Sequence, residues 1–169
     1  MSDLALRRLT LDDEEAFRGL RQEALSAEPL AFTASPEDDR VLDPEFLRAR
    51  LGDPGESAIF GAFAGALVGF VGIYREPGRK ADHKARVFGT YVRPAHRRGG
   101  VGDALLSAAI VFARALPRVR QIHLGVTEVA QSALRLYLRH GFVVWGTEPA
   151  ALRHDGRFVA EHHMVLVLS

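Results

Sequence analysis

The densest chemistry in the chain lies between Val92 and Gly102, where Arg93, His96, Arg97 and Arg98 precede Gly99, Gly100 and Gly102. An apolar-periodic segment follows at once, so these glycines stand between a strand end and the start of a helix. The first turn of a helix leaves main-chain N–H groups without partners, and its dipole adds partial positive charge. Glycines let phosphate oxygens approach that backbone closely. Two guanidinium groups, Arg97 and Arg98, can fork onto the same oxygens. Together these features read as a cradle for a pyrophosphate. It is not a Walker A loop, because Gly102 is followed by Asp103 rather than by Lys and Ser/Thr. A dinucleotide fingerprint is also excluded: Gly100-Val101-Gly102 lacks the third glycine and lies far from the first strand.

The elements that must position this loop are legible in the periodicity. Leu4, Leu6 and Leu9 suggest a short first strand by alternation. Asp12-Asp13-Glu14-Glu15 opens a helix whose apolar stripe is Phe17, Leu20, Ala24 and Leu25. Pro29 and Pro36 bracket a loop, and Asp43-Pro44 reads as an N-cap with proline at the first helical position. Phe46, Leu47 and Leu51 face inward from that second helix. Residues 57–63 and 66–74 form a hairpin about Ala64-Gly65. Val87, Phe88, Tyr91 and Val92 make the strand before the loop, and Leu105, Leu106, Ala109, Ile110 and Phe112 line the helix after it. Ile122, Leu124 and Val126 alternate as a strand. Ala133, Leu134, Tyr137 and Leu138 form a last helical face, stopped by Gly141. Residues 142–145 and 164–168 supply two final strands through a turn at Asp155-Gly156. Strands interleaved with helices predict a mixed α/β sheet.

Composition narrows the function classes. The 169 residues suit one domain, read as 1–169, with 47% hydrophobic and 25% charged residues. Twenty-two Lys+Arg against 21 Asp+Glu leave a formal charge of +1, which argues against nucleic acid or a membrane surface as partner. With no cysteine, disulfides, thiolate metal sites and cysteine nucleophiles are excluded. No run approaches the roughly 20 apolar residues of a membrane span. Met1-Ser2-Asp3-Leu4 has no leader character, so a cytoplasmic protein is expected.

Two blocks resemble a known family. Arg97-Arg98-Gly99-Gly100-Val101-Gly102 matches the Gln/Arg-x-x-Gly-x-Gly/Ala signature of GNAT N-acetyltransferases. Leu124-Gly125-Val126, followed by Ala133-Leu134-Arg135-Leu136-Tyr137-Leu138-Arg139-His140-Gly141-Phe142, is similar to the family's A-x-x-L-Y-x-x-x-G-F segment. The end of the chain, from Gly146 through Asp155-Gly156 to Met164, is similar to one bacterial branch. The resemblance implies a single-domain GNAT fold: a mixed, mostly antiparallel sheet of six or seven strands, about four helices, and splayed central strands. It implies acetyl-CoA as co-substrate, with the diphosphate on the main chain of Arg98, Gly99, Gly100, Val101, Gly102 and Asp103 and Arg97 nearby. The pantetheine arm would lie along Tyr91, Val92 and Arg93, where an N–H near Tyr91 or Val92 could polarise the acetyl carbonyl. Tyr137 would give a proton to the departing thiolate, which suits a phenol because its reference pKa lies close to or above that of an alkyl thiol. Gly89 and Thr90 are expected at a bulge.

The implied activity is acetyl transfer to a primary amine, on a small molecule or peptide, by direct attack in a ternary complex. The alternative is a CoA-binding regulatory or interaction module with little turnover. Relatives often pair through their sheets, so the resemblance allows a homodimer, and the sequence itself does not read out the oligomeric state. Two positions depart from the pattern. Ala130 stands where the family has asparagine, with Gln131 and Ser132 as replacements. Arg86 stands where some relatives have a glutamate base, and arginine accepts no proton. The base is left among Glu128, His83 and a water relayed by backbone carbonyls. Acceptor binding is assigned to residues 25–39 and the C-terminal strands, with Glu28, Glu37, Asp38 and Asp39 available to a cationic amine. His162-His163 point to opposite faces of a strand. With no spaced His-Glu partner in the sequence, no metal is expected.

Overall fold

The structure is a computed structural model describing residues 3–53 and 55–169; Met1 and Ser2, part of the stretch read for leader character, lie outside them. The order is β1 (Ala5–Arg8), α1 (Glu14–Ala27), α2 (Pro44–Leu51), β2 (Ser57–Ala64), β3 (Ala66–Arg75) and β4 (Lys84–Val92). It continues with α3 (Val101–Ala115), β5 (Gln121–Thr127), α4 (Gln131–Arg139), β6 (Val143–His154) and β7 (Arg157–Val167). The strands form one sheet of seven in the order β1-β2-β3-β4-β5-β7-β6. Only β4 and β5 run parallel; the other pairs are antiparallel. This is the mixed α/β sheet that the alternation of elements predicts. No helix among the described residues is long and apolar enough to cross a membrane.

Local chemistry explains where the helices begin and end. Asp43 Oδ1 accepts the Phe46 N–H at 2.9 Å, and Pro44 occupies the first turn of α2. Helix α4 stops at Gly141, whose φ of +90° suits a residue without a Cβ. The stripe of α1 buries Phe17, Leu20, Ala24 and Leu25 as the spacing predicts, and it also buries Arg21.

The helices divide between the two faces. One core packs α3 and α4 on the sheet through Leu105, Leu106, Leu124, Tyr137, Phe142 and Met164. The other packs α1 and α2 through Phe17, Leu20, Leu47, Ile59, Phe70 and Tyr91. Because α1 and α2 cover only the β1–β4 half, the corresponding face of β5, β7 and β6 keeps side chains such as Trp145 in the open.

Two expectations need correction. Leu4 and Leu6 are exposed, and it is Leu9, just past β1, that is buried, packed over Gly61. Helix cover begins only beyond the end of this edge strand, so burial begins there too. The last two strands are also much longer than residues 142–145 and 164–168. Most residues of their outer parts are exposed or half-buried, with Val159 the buried exception, and polar residues interrupt the apolar ones, so no regular apolar alternation marks them, although they turn at Asp155-Gly156 as expected.

One feature of the sheet bears directly on the site. Strands β4 and β5 pair only from Lys84–Arg86 to Gln121–His123 and then part. On the opposite edge of β4 the register with β3 shifts between Phe70 and Gly72, and Gly89 adopts φ +58°. A bulge bends a strand out of its ladder, and here it sits where the gap opens.

Candidate active site

The loop before α3 has the form of an anion cradle. No main-chain N–H from Arg98 to Asp103 has a hydrogen-bond partner among the described residues. Gly100 adopts φ +75°, and a Cβ at Gly99 or Gly100 would meet nothing within 4 Å, so both face open space. Gly102 differs: its Cβ position lies 3.4 Å from Leu136, which lets α3 pack closely on α4. Val101 is buried beneath the turn. A doubly charged phosphate ester fits this set of unpaired, outward donors.

The charged residues around the loop divide in a way the sequence does not reveal. Arg98 is exposed and has no carboxylate within ion-pair distance among the described residues. Arg97 folds back, its Nε donating to the Val92 carbonyl at 2.7 Å and its Nη2 to Glu28 at 2.5 Å. Arg93 turns toward α1 and pairs with Glu23 at 2.9 Å, lowering that carboxyl's pKa. Both guanidiniums are thus engaged with nearby protein groups, which bears on the Arg97 side chain expected near the diphosphate but not on Arg93, expected to serve through its main chain. Asp103 ties α3 to α4, accepting from Arg139 and His140 at 3.0 Å each.

Beyond the loop the gap between β4 and β5 opens into a cleft of about 1560 Å³. Arg93 N–H bonds Val68 O on β3, and the amides of successive strand residues alternate in direction, so Val92 N–H points into the gap. Tyr91 faces the other way, its side chain buried on the α1 side with its hydroxyl donating to Glu23 at 3.3 Å. Tyr137 lies beneath the gap on the α3/α4 side, 5% exposed and edge-to-face with Phe142. Burial pushes its phenol pKa up, and the nearby Thr90 hydroxyl offsets part of that rise. The two hydroxyls nevertheless fall outside ordinary hydrogen-bond geometry, and Thr90 Oγ1 is buried with no partner among the described residues. A protonated phenol beside an unpartnered hydroxyl is equipped to donate a proton rather than to accept one.

The opposite wall lies on the α1/α2 side. Arg21 and Asp39 form a buried pair at 2.8 Å, and Arg21 Nη1 has no partner among the described residues. That nitrogen stands where it would clash with a Cβ on Gly89, so the bulge glycine makes room for it. Arg50 is half-buried against the rings of Phe46, Tyr74 and Phe88, and burial lowers its pKa. Neither Arg50 nor Arg40 has a carboxylate within ion-pair distance among the described residues. The acidic residues expected to draw in a cationic amine are largely spent: Asp39 on Arg21, Glu28 on Arg97, and Asp38 on the Ser35 N–H and hydroxyl. This end of the cleft is consequently electropositive, a correction that comes from pairings across loops.

The proposed bases fare no better. Glu128 is exposed and accepts the Ala160 N–H at 3.0 Å, while His83 lies at the far end of β4 with its carbonyl on Arg120 N–H. Neither lines the cleft. Ala130 caps α4 with no side-chain bond. Gln131 donates to the Glu128 carbonyl, and Ser132 accepts from Arg135 at 3.5 Å.

His162 and His163 do point apart: His162 meets Thr147, whereas His163 meets Trp145 and Glu148. The absence of a His-Glu partner is corrected, however. Strand pairing brings Glu148, Glu161 and His163 together, with ligand atoms within 4.8 Å of one another. Glu161 also lines the cleft, and sequence reasoning missed it. The available signal was Gly125, a glycine inside a strand, which marks close approach by a neighbour.

A parted parallel pair of strands, a cradle of free amides at the gap and a buried phenol below it define an acyl-CoA-dependent transferase. Residues 17–142 match the Acetyltransferase (GNAT) family, and the chain belongs to that family. It is an acetyl-CoA-dependent N-acetyltransferase. The L-amino acid N-acetyltransferase AaaT of Escherichia coli (strain K12) is 26% identical over 99% of both chains. A GNAT-family acetyltransferase from Streptococcus pneumoniae shares the fold at TM-score 0.86 and 22% identity, over 98% of this chain and 100% of that one. The structure of yncA from Salmonella typhimurium, solved with its cofactor acetyl-CoA, matches at TM-score 0.83 and 19% identity, over 98% and 94% of the two chains.

Proposed function

We propose that residues 1–169 act as one catalytic domain that acetylates the primary amine of a small acceptor bearing a carboxylate, an amino acid being the simplest case. The observation that carries the transfer is the gap between β4 and β5, with unpaired amides at its mouth and Tyr137 beneath it. The acceptor class is supported by Arg40 and Arg50, two cleft guanidiniums without carboxylate partners among the described residues. Arginine is suited to holding a carboxylate through two parallel bonds. The name of the Escherichia coli relative agrees with this acceptor.

Main-chain amides from Arg98 to Asp103, with the Arg98 side chain, would hold the diphosphate. Bound acetyl-CoA supplies a thioester. Val92 N–H would polarise its carbonyl from the β4 side, a contribution worth about 3–4 kcal/mol in comparable oxyanion sites. Tyr137 would protonate the departing sulfur. Arg40 and Arg50 would fix the acceptor's carboxylate and so aim its nitrogen at the gap. No side chain among the described residues of the cleft is poised as a nucleophile, which supports direct attack over a covalent acetyl-enzyme.

The test is acceptor-dependent thiol release from acetyl-CoA across free amino acids, their carboxamides and simple alkylamines. Turnover of the free acids well above the carboxamides is expected. Equal rates for acid and carboxamide would refute the acceptor class. Calorimetric binding of acetyl-CoA with no acceptor-dependent release would return the chain to the alternative of a binding module.

A further inference from the structure

Six carboxylates line the cleft, and five of them are already held. Asp39 is engaged by Arg21, Glu28 by Arg97, Glu76 by Arg86, Asp103 by Arg139 and Asp38 by Ser35. Glu161 alone makes no hydrogen bond or ion pair among the described residues. It stands on β7 opposite Thr127, and its Oε1 occupies the place where a Gly125 Cβ would be. The carboxylate therefore lies flat over β5 in space that any other residue at 125 would fill. Gly125 is just past His123, the last β5 residue paired with β4. Glu161 thus reaches the place where the gap opens.

Its side of the sheet matters as much as its position. Leu124, Val126 and Met164 face the α3/α4 core together with Tyr137. Gly125, Thr127 and Glu161 occupy the opposite face, where the Thr127 hydroxyl donates to Leu30 O in the segment after α1. The phenol that would serve sulfur and the carboxylate that would serve nitrogen consequently flank the gap from opposite sides. Behind Glu161 stand further ionisable side chains. His163 lies on the same face of β7, and Glu148 comes from β6, 3.5 Å from His163 Nε2. On β5, Gly125 and Thr127 carry no ionisable group, but His123 shares their face, edge-on to the Trp145 ring that also packs on His163, and burial lowers its pKa.

We infer that Glu161 is the general base of the transfer, and that His163 and Glu148 carry the proton from it to solvent. An acceptor amine arrives as an ammonium ion, and Glu161 takes one of its protons, freeing the nitrogen lone pair. The new carbon–nitrogen bond forms as the carbon–sulfur bond breaks, and sulfur receives the Tyr137 proton. Nitrogen loses a second proton, equal to the one sulfur gains, which restores Tyr137 by way of water. The first proton leaves through the His163 imidazole and Glu148, whose side chain is 57% exposed. The balance is one ammonium and one thioester in, one amide, one thiol and one released proton out. The proposal rests on the amine acceptor argued above.

Glu161→Gln keeps the shape and removes the base. At neutral pH it is expected to lower kcat by about 100–1000-fold, in the range of general-base catalysis, with acetyl-CoA affinity and thermal midpoint unchanged. The deficit should shrink as pH rises toward the acceptor's own pKa. Formate should restore part of the activity of Glu161→Ala. His163→Gln should lose about 10-fold in dilute buffer and recover with added imidazole, as a bypassed proton carrier does. If the wild type turns over and Glu161→Gln keeps pace with it at every pH, the base is refuted while the acceptor reading stands. A wild type that acetylates none of the amines removes both. Activity lost to a chelator and restored by zinc would overturn the relay by assigning the three residues to a metal.

Discussion

The two walls of the cleft are built from different materials. On the α3/α4 side the groups facing the gap are main-chain amides and one buried phenol, backed by the apolar core of Leu105, Leu106, Phe142 and Met164. On the α1/α2 side they are charged side chains: the buried Arg21–Asp39 pair, Arg50 among three rings, and Glu161 over Gly125. A cofactor common to many acceptors is well served by backbone N–H groups, which every substitution except proline leaves in place. An acceptor that differs from one enzyme to the next is better selected by side chains. The first wall would thus govern whether transfer occurs, and the second would govern to what and how fast.

Variants on each wall can break that division. Tyr137→Phe should show the largest effect, lowering kcat by about 100–1000-fold with acetyl-CoA binding intact. Single-turnover thiol release with calorimetry checks it. A loss of cofactor affinity instead would make Tyr137 part of the binding wall. On the other wall, Asp39→Asn leaves Arg21 buried and uncompensated, and should cost about 3–5 kcal/mol of stability by urea unfolding. Acceptor recognition should fail with it, because Asp39 also caps the turn before α2 through Val41 N–H.

Smaller effects would sharpen the contrast. Arg50→Met should raise the acceptor KM about 10-fold, roughly 1.4 kcal/mol, while leaving kcat and the acetyl-CoA KM alone. An equal rise for acids and carboxamides would dissociate Arg50 from the carboxylate. The least effect is expected away from both walls, at Asp13. Arg7's hydrogen bonds, together with those from Thr10, hold its pKa at about 2, down from 3.8. A depressed carboxyl stabilises the fold above its unfolded pKa, and that contribution is lost as pH falls from about 4 toward 2. Unfolding midpoints measured at pH 5 and pH 2.5 should therefore differ less in Asp13→Asn than in wild type.

The legible and illegible parts of the site follow the same two walls. Gly99-Gly100 before α3, and Tyr137 four residues before Gly141, stand within short segments whose period and capping can be read directly. The bulge expected at Gly89 and Thr90 falls where β4 leaves its register with β3. By contrast, Arg97 looks like a phosphate ligand until Glu28, from the end of α1, claims it. The acidic stretch 37–39 looks attractive to an amine until Arg21 neutralises Asp39. Leu4 and Leu6 look like core until the edge position of β1 leaves them to solvent.

From the linear order of residues alone came the strand-loop-helix cradle, the stop at Gly141, the place of Tyr137 and the α/β architecture. Each depends on groups within about a turn or a strand of one another, where spacing translates directly into geometry. Only the tertiary structure decided which charges remained unpaired and which carboxylate reached the gap. Those outcomes depend on contacts such as Arg97 with Glu28 and Glu161 with Gly125, brought together by strand register and helix packing across 69 and 36 positions of chain.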